Sequence, residues 1–137
     1  MDRDVIEKKL ESLRRCVKRI EDKCPADAQT LVGDPDLQDI IALNLSRAVQ
    51  VCVDISAHLI SGMELPAPDT MGQAFDVLAQ AGVLTPALAS RLKKVVGFRN
   101  IAVHSYEAIN WHIVHSIAKN HLVDFSEFAR AIATKYT

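Results

Sequence analysis

The chain has 137 residues, a formal net charge of −1, 49% hydrophobic residues and 24% charged ones. This is enough chain for one domain with a real core, its composition is globular rather than disordered, and its bulk charge gives no general attraction for nucleic acid. Only 5 Gly and 5 Pro interrupt it, which favours long helices over many short strands, and no uninterrupted apolar run predicts a bilayer span.

Helical periodicity predicts about five segments with no repeat, low-complexity tract or linker between them, so residues 1–137 are expected to form a single all-α bundle. The first segment covers about residues 2–23, with Ile6, Leu10, Leu13, Val17 and Ile20 on a narrow seam amid charges. So charged a beginning is unlike a signal peptide, and a cytoplasmic protein without membrane partners is expected. Cys16, Cys24 and Cys52 lack zinc-type spacing and are expected to act as small hydrophobes.

In "GDPDLQ", Asp34 is a candidate N-cap and Pro35 the first residue of a helix running to about Ser61. Its main stripe is Leu37, Ile41, Leu45, Ala48, Cys52, Ile55 and Leu59. On the far side, Ile40, Leu43 and Val51 alternate with Arg47, Asp54 and His58, a strip that could contribute to a cleft but that ion pairing along the helix explains as well. A helix apolar beyond one stripe is central to its bundle or lies at a subunit interface, and a homodimer is the economical expectation.

"SGMELPAPD" breaks the pattern. Thr70 with Gln73 resembles a capping box opening a short helix to about Gln80. "AGVLTPA" ends that helix and begins the next, with Thr85 as cap and Pro86 first. Asn110 can cap one last helix towards Tyr136, with Ile113, Ile117, Phe125, Phe128 and Ile132 inward. His112 and His115 lack an acidic or cysteine partner at metal-ligand spacing; they are expected at the surface or an interface, and no metal or cofactor is expected.

The stretch "VVGFRNIAVHSY", residues 95–106, carries the chemistry. At about 100° per residue, Leu88, Leu92, Val95, Val103 and Tyr106 fall within roughly 40° of Arg99. A permanent cation thus occupies the middle of an apolar stripe. Either its head pairs with a carboxylate in the core, or the stripe faces a cleft or dimer seam where the guanidinium awaits an anion. His104 lies about 140° round the helix, at its expected end, with Asn100 and the small Gly97 near its azimuth. An arginine and a titratable histidine at one groove are the parts needed for metal-free phosphodiester cleavage. The histidine would move the 2′-hydroxyl proton and the arginine would stabilise charge on the phosphate. Lys93 and Lys94 could extend the positive patch. Tyr106, by itself, suits an amphipathic residue at the bundle edge.

"RNIAVHSY" matches the R-x4-H-x-Y form of the HEPN-superfamily signature. With "LKKVVGFRN" before it, "IALNLSRAVQVCVDISAHLI" and the "HLVDFSEFA" tail, the chain resembles the HepT (DUF86) subgroup from about Asp2 to Tyr136. The resemblance implies an all-α homodimer whose two motifs meet in a composite cleft, with Arg99 and His104 catalytic; Asn100, by its azimuth near His104, is the candidate binding residue. It implies a metal-independent endoribonuclease toxin acting on RNA. The implied partner is an MNT-type nucleotidyltransferase antitoxin that silences the toxin by transferring AMP to Tyr106. The alternative is a non-catalytic helical module that binds a nucleotide or only docks the transferase.

Overall fold

A computed structural model describes residues 3–137. Among the described residues there are seven α-helices, one 3₁₀ turn and no strand. Helix α1 (Arg3–Lys23) buries Ile6, Leu10, Leu13, Val17 and Ile20, the expected seam, together with Cys16; its expected start at residue 2 lies outside the described residues. A short α2 (Ala28–Val32) follows, opened by the Asp27 carboxylate accepting the Thr30 N–H at 2.9 Å. Five residues are too few for any hydrophobic period, so this helix escaped the sequence pattern.

Helix α3 (Pro35–Ile60) starts where expected, with Asp34 Oδ1 accepting the Leu37 N–H at 3.1 Å. Ile41, Leu45, Ala48, Cys52, Ile55 and Leu59 are buried along its stripe, and it touches every other α-helix. By length and composition α3 could cross a membrane, but 56% of its most apolar window is buried inside the fold, as in a central core helix. Its far side is not covered: Leu43 is 50% exposed.

Helix α4 (Met71–Gln80) is capped by Thr70, whose hydroxyl accepts the Gln73 N–H at 3.2 Å. The reciprocal bond differs from a capping box, because Gln73 Oε1 accepts from the Asp69 N–H at 2.8 Å instead. Gly82, at φ +78°, reverses the chain after α4 and lets Val83 N–H reach back to the Leu78 carbonyl at 2.9 Å. Thr85 then caps α5 (Pro86–His104) by accepting the Leu88 N–H at 3.1 Å.

The single last helix is corrected to two, α6 (Trp111–Asn120) and α7 (Val123–Tyr136), and a 3₁₀ turn (Tyr106–Ala108) precedes them. Asn110 caps α6 as expected, taking the N–H groups of His112 and Ile113. The break at His121 and Leu122 has no Gly or Pro to announce it. It lets α6 lie against α2 while α7 turns back onto α1 and α5. Phe125, Phe128 and Ile132 are buried as expected and Ile117 partly so, but Ile113 is 58% exposed. Beyond the break α7 holds buried Asp124, bound by Arg91 Nε of α5 at 2.8 Å, so a tertiary ion pair directs the chain there.

Candidate functional site

Helix α5 places the motif, and its apolar stripe does not run the whole way. Leu88, Leu92 and Val95 are buried; Val103, one turn beyond Arg99, is 52% exposed. Arg99 therefore stands where the stripe leaves the core, half-buried and facing outward past the start of α4. Its Nη1 lies 3.8 Å from Met71 Sδ. Among the described residues no carboxylate comes within 4.0 Å of the guanidinium. The carboxylate-paired core arginine is thus not what the fold contains. A cation held against a thioether, which offers only a weak acceptor, keeps its charge available.

His104 is the last residue of α5 and is exposed. Asn100, Gly97 and Ile101 are exposed on neighbouring turns, and a Cβ added to Gly97 would meet nothing within 4 Å. This face of the helix is open. Arg99 and His104 are separated by about 140° and about 7.5 Å of helix rise and make no hydrogen bond to each other, so one copy of α5 presents them on different faces.

Past Ser105 the 3₁₀ turn presents Tyr106. Its ring meets Trp111 of α6 edge-on, with centroids 5.7 Å apart and planes at 64°. Its hydroxyl donates to Asp39 Oδ1 on the first turns of α3 at 2.5 Å, a contact across 67 positions of sequence. Partial burial, followed by the hydrogen bond and negative charge of Asp39, pushes the phenol up to about 12. Nothing in the local pattern marks Asp39; only the fold brings it to the motif.

Several supporting expectations are corrected, while those for the cysteines and for His112 hold. Lys93 does not extend a free positive patch, because its Nζ pairs with Asp76 of α4 at 2.8 Å. Lys94 lines a cleft of about 310 Å³ with Val95, Ile113, Ile117 and the Arg91–Asp124 pair, and none of the motif residues reaches it. His115 is half-buried with Nε2 2.9 Å from the Pro25 carbonyl, so it ties α6 to the segment before α2; His112 remains exposed. Asp54 does not pair with Arg47: it accepts from Gln50 at 2.8 Å and lies 3.9 Å from Lys9 Nζ. Cys16 and Cys52 are buried and Cys24 partly so, all with free thiols that burial pushes up.

An all-α bundle that ends its fifth helix on R-x4-H, with the arginine uncommitted, defines the class as a HEPN-type domain. Among solved structures, the tri-AMPylated Shewanella oneidensis HEPN toxin in complex with MNT antitoxin superposes at a TM-score of 0.90. The two are 38% identical over 98% of this chain and 100% of that one. The mRNA nuclease HepT of Shewanella oneidensis is 39% identical over 94% of this chain and 96% of its own length. The tRNA nuclease HepT of Aphanizomenon flos-aquae is 27% identical over 77% and 72%. The ribonuclease HepT-like family model matches residues 4–132, and the chain belongs to that family.

Proposed function

We propose that the chain is the toxin of a HEPN/MNT toxin–antitoxin pair, a cytoplasmic, metal-independent endoribonuclease that works as a homodimer. The observation that carries this reading is Arg99, a half-buried guanidinium with no carboxylate partner among the described residues, five residues before an exposed helix-terminal His104. His104 takes the 2′-hydroxyl proton, the 2′-oxygen attacks the adjacent phosphorus, and the 5′-oxygen leaves with a proton taken from water, giving a 2′,3′-cyclic phosphate and a 5′-hydroxyl. Arg99 stabilises the negative charge that builds on the phosphoryl oxygens, and Asn100 offers its amide to the same phosphate or to a base. The nucleophile is internal to RNA, so no activated water is required.

The separation of the two groups supports a homodimer. A twofold axis beside the open face of α5 brings Arg99 of one copy towards His104 of the other, and the two uncompensated arginines favour an anion between them. Leu43, Ile101 and Val103 supply exposed apolar surface for such a seam. The AMPylated relative complexed with MNT antitoxin supports a nucleotidyltransferase partner here, and we assign Tyr106, beside the motif, as the residue that accepts AMP. A transferred AMP would place a charge and an adenine ring beside the motif and exclude RNA.

The test is cleavage of RNA by purified, unmodified protein in excess chelator. Wild type should cut and leave cyclic-phosphate ends. Arg99→Ala should lose about 10² to 10³ in rate and His104→Ala about 10² to 10⁴. Activity only with a divalent ion, or normal cutting by His104→Ala, would overturn the mechanism. No cutting by wild type, with AMP transfer intact, would favour the docking module.

A further inference from the structure

The proposed reading makes Tyr106 the acceptor of AMP, and one question it leaves is where the phenol proton goes. We propose that Asp39 is the general base of that modification, so that the toxin carries the proton acceptor for its own silencing while the transferase supplies the nucleotide. The inference rests on the Tyr106 reading and adds a residue to it.

The geometry is specific. Tyr106 Oη donates to Asp39 Oδ1 at 2.5 Å, within the range of a charge-assisted O–H···O⁻ bond. The ring is held from the other side by Trp111. Asp39 sits on a rigid 26-residue helix near its capped start, so neither partner belongs to a long loop. The ring thus meets an indole and the hydroxyl a carboxylate, while the residue remains 39% exposed. That combination suits a nucleophile which must be reached by a bulky partner and already be oriented when it is reached.

The chemistry balances as follows. The Tyr106 oxygen forms a bond to the α-phosphorus of ATP, and the bond from that phosphorus to the bridging oxygen breaks. Magnesium pyrophosphate leaves, and the phenol proton passes to the Asp39 carboxylate and then to water. A phenol pushed up to about 12 supplies almost no phenolate at neutral pH. The proton must therefore leave as the oxygen–phosphorus bond forms, when the oxygen becomes far more acidic, and the acceptor must already be in contact. Of the titratable groups on the neighbouring elements (Asp36 and Asp39 on α3, His104 on α5, Glu107 on the 3₁₀ turn, His112 on α6), Asp39 alone perturbs the Tyr106 hydroxyl. It also hydrogen-bonds no other side chain among the described residues, so the carboxylate is not committed elsewhere.

A merely structural tie would have the same distance, and pH separates the two roles. The experiment mixes the full-length toxin with an MNT-type nucleotidyltransferase that modifies it, with Mg-ATP, and follows AMP incorporation by intact mass across neutral to alkaline pH. Peptide mapping locates the modified residue. With Asp39 as base the wild-type rate divided by that of the transferase's own turnover on nucleotide is flat with pH, because a carboxylate base offers the same acceptor at neutral and at alkaline pH. Asp39→Asn preserves size and a carbonyl acceptor but removes the base. Its kcat should fall about 10² to 10⁴ with KM changed little, and its rate should climb tenfold per pH unit as hydroxide or phenolate takes over. Asp39→Glu should restore a flat profile and part of the rate, and it keeps the test open if the Asn variant folds poorly.

An Asp39→Asn protein that is modified as fast as wild type overturns the proposal. So does a slowed variant whose profile stays flat, since the carboxylate then only positions the ring. AMP found on another residue of the wild type overturns the Tyr106 reading itself, which a failure of Asp39 alone would leave standing.

Discussion

Tyr106 is where burial, hydrogen bonding and charge act on one atom, and its pH dependence follows with a definite sign. Its phenol rises from 10.0 in the unfolded chain to about 12 in the fold, chiefly through burial and then through Asp39. Since the folded value is the higher one, the stabilisation is complete below the unfolded value. It disappears as pH rises through the folded value, when phenolate would face the Asp39 carboxylate. Thermal melts of wild type and Tyr106→Phe should therefore differ by a constant amount at neutral pH, with the gap closing between pH 10 and about 12. Tyrosinate absorbance should show this residue titrating at the top of that window. A gap unchanged up to pH 12 would mean that the hydroxyl is neither buried nor held by Asp39 in solution. The sequence exposes Arg99, His104 and Tyr106 through their spacing on one helix and its end. It cannot expose Asp39, because nothing within a few residues of position 39 depends on position 106.

The helices show what local chemistry can and cannot dictate. Asp34, Thr70, Thr85 and Asn110 each cap the helix that their neighbours predict, because a side-chain oxygen two or three residues before an amide is a strictly local bond. Asn110 serves two amides, those of His112 at 3.0 Å and Ile113 at 3.3 Å. Asn110→Ala should cost about 1 kcal/mol and lower the melting temperature by a few degrees. Because α6 begins with Trp111, fraying there should also free the Tyr106 ring and slow its modification. Gly82→Ala, at φ +78°, is expected to cost about 1 to 2 kcal/mol without touching the motif, and it serves as the control for destabilisation alone. Features set by tertiary packing were not legible. The division of α6 from α7, the exposure of Ile113 and the capture of Lys93 by Asp76 all depend on which helix lies opposite.

For the whole molecule, the decisive matter is whether one copy or two make the cleavage site. The amphipathic stripes place most of the core correctly, yet they mislead over Val103, which fits the buried stripe of α5 and is instead half exposed. A twofold partner would cover this apolar residue on the open side of Arg99. The prediction is complementation. Arg99→Ala and His104→Ala are each inactive as homodimers. In a mixed dimer, one cleft position has lost both groups, whereas the other combines the intact arginine of one copy with the intact histidine of its mate. Co-expressing the two variants at equal levels makes about half the dimers mixed, each with one working position of two, so RNA cleavage should return to about a quarter of wild type. Light scattering on the same samples should give the mass of a dimer. If each copy used its own Arg99 and His104, every position in the mixed dimer would lack one group and the mixture would stay inactive. A dimer without complementation would thus assign the site to a single subunit, with the guanidinium bending round α5 to meet its own histidine.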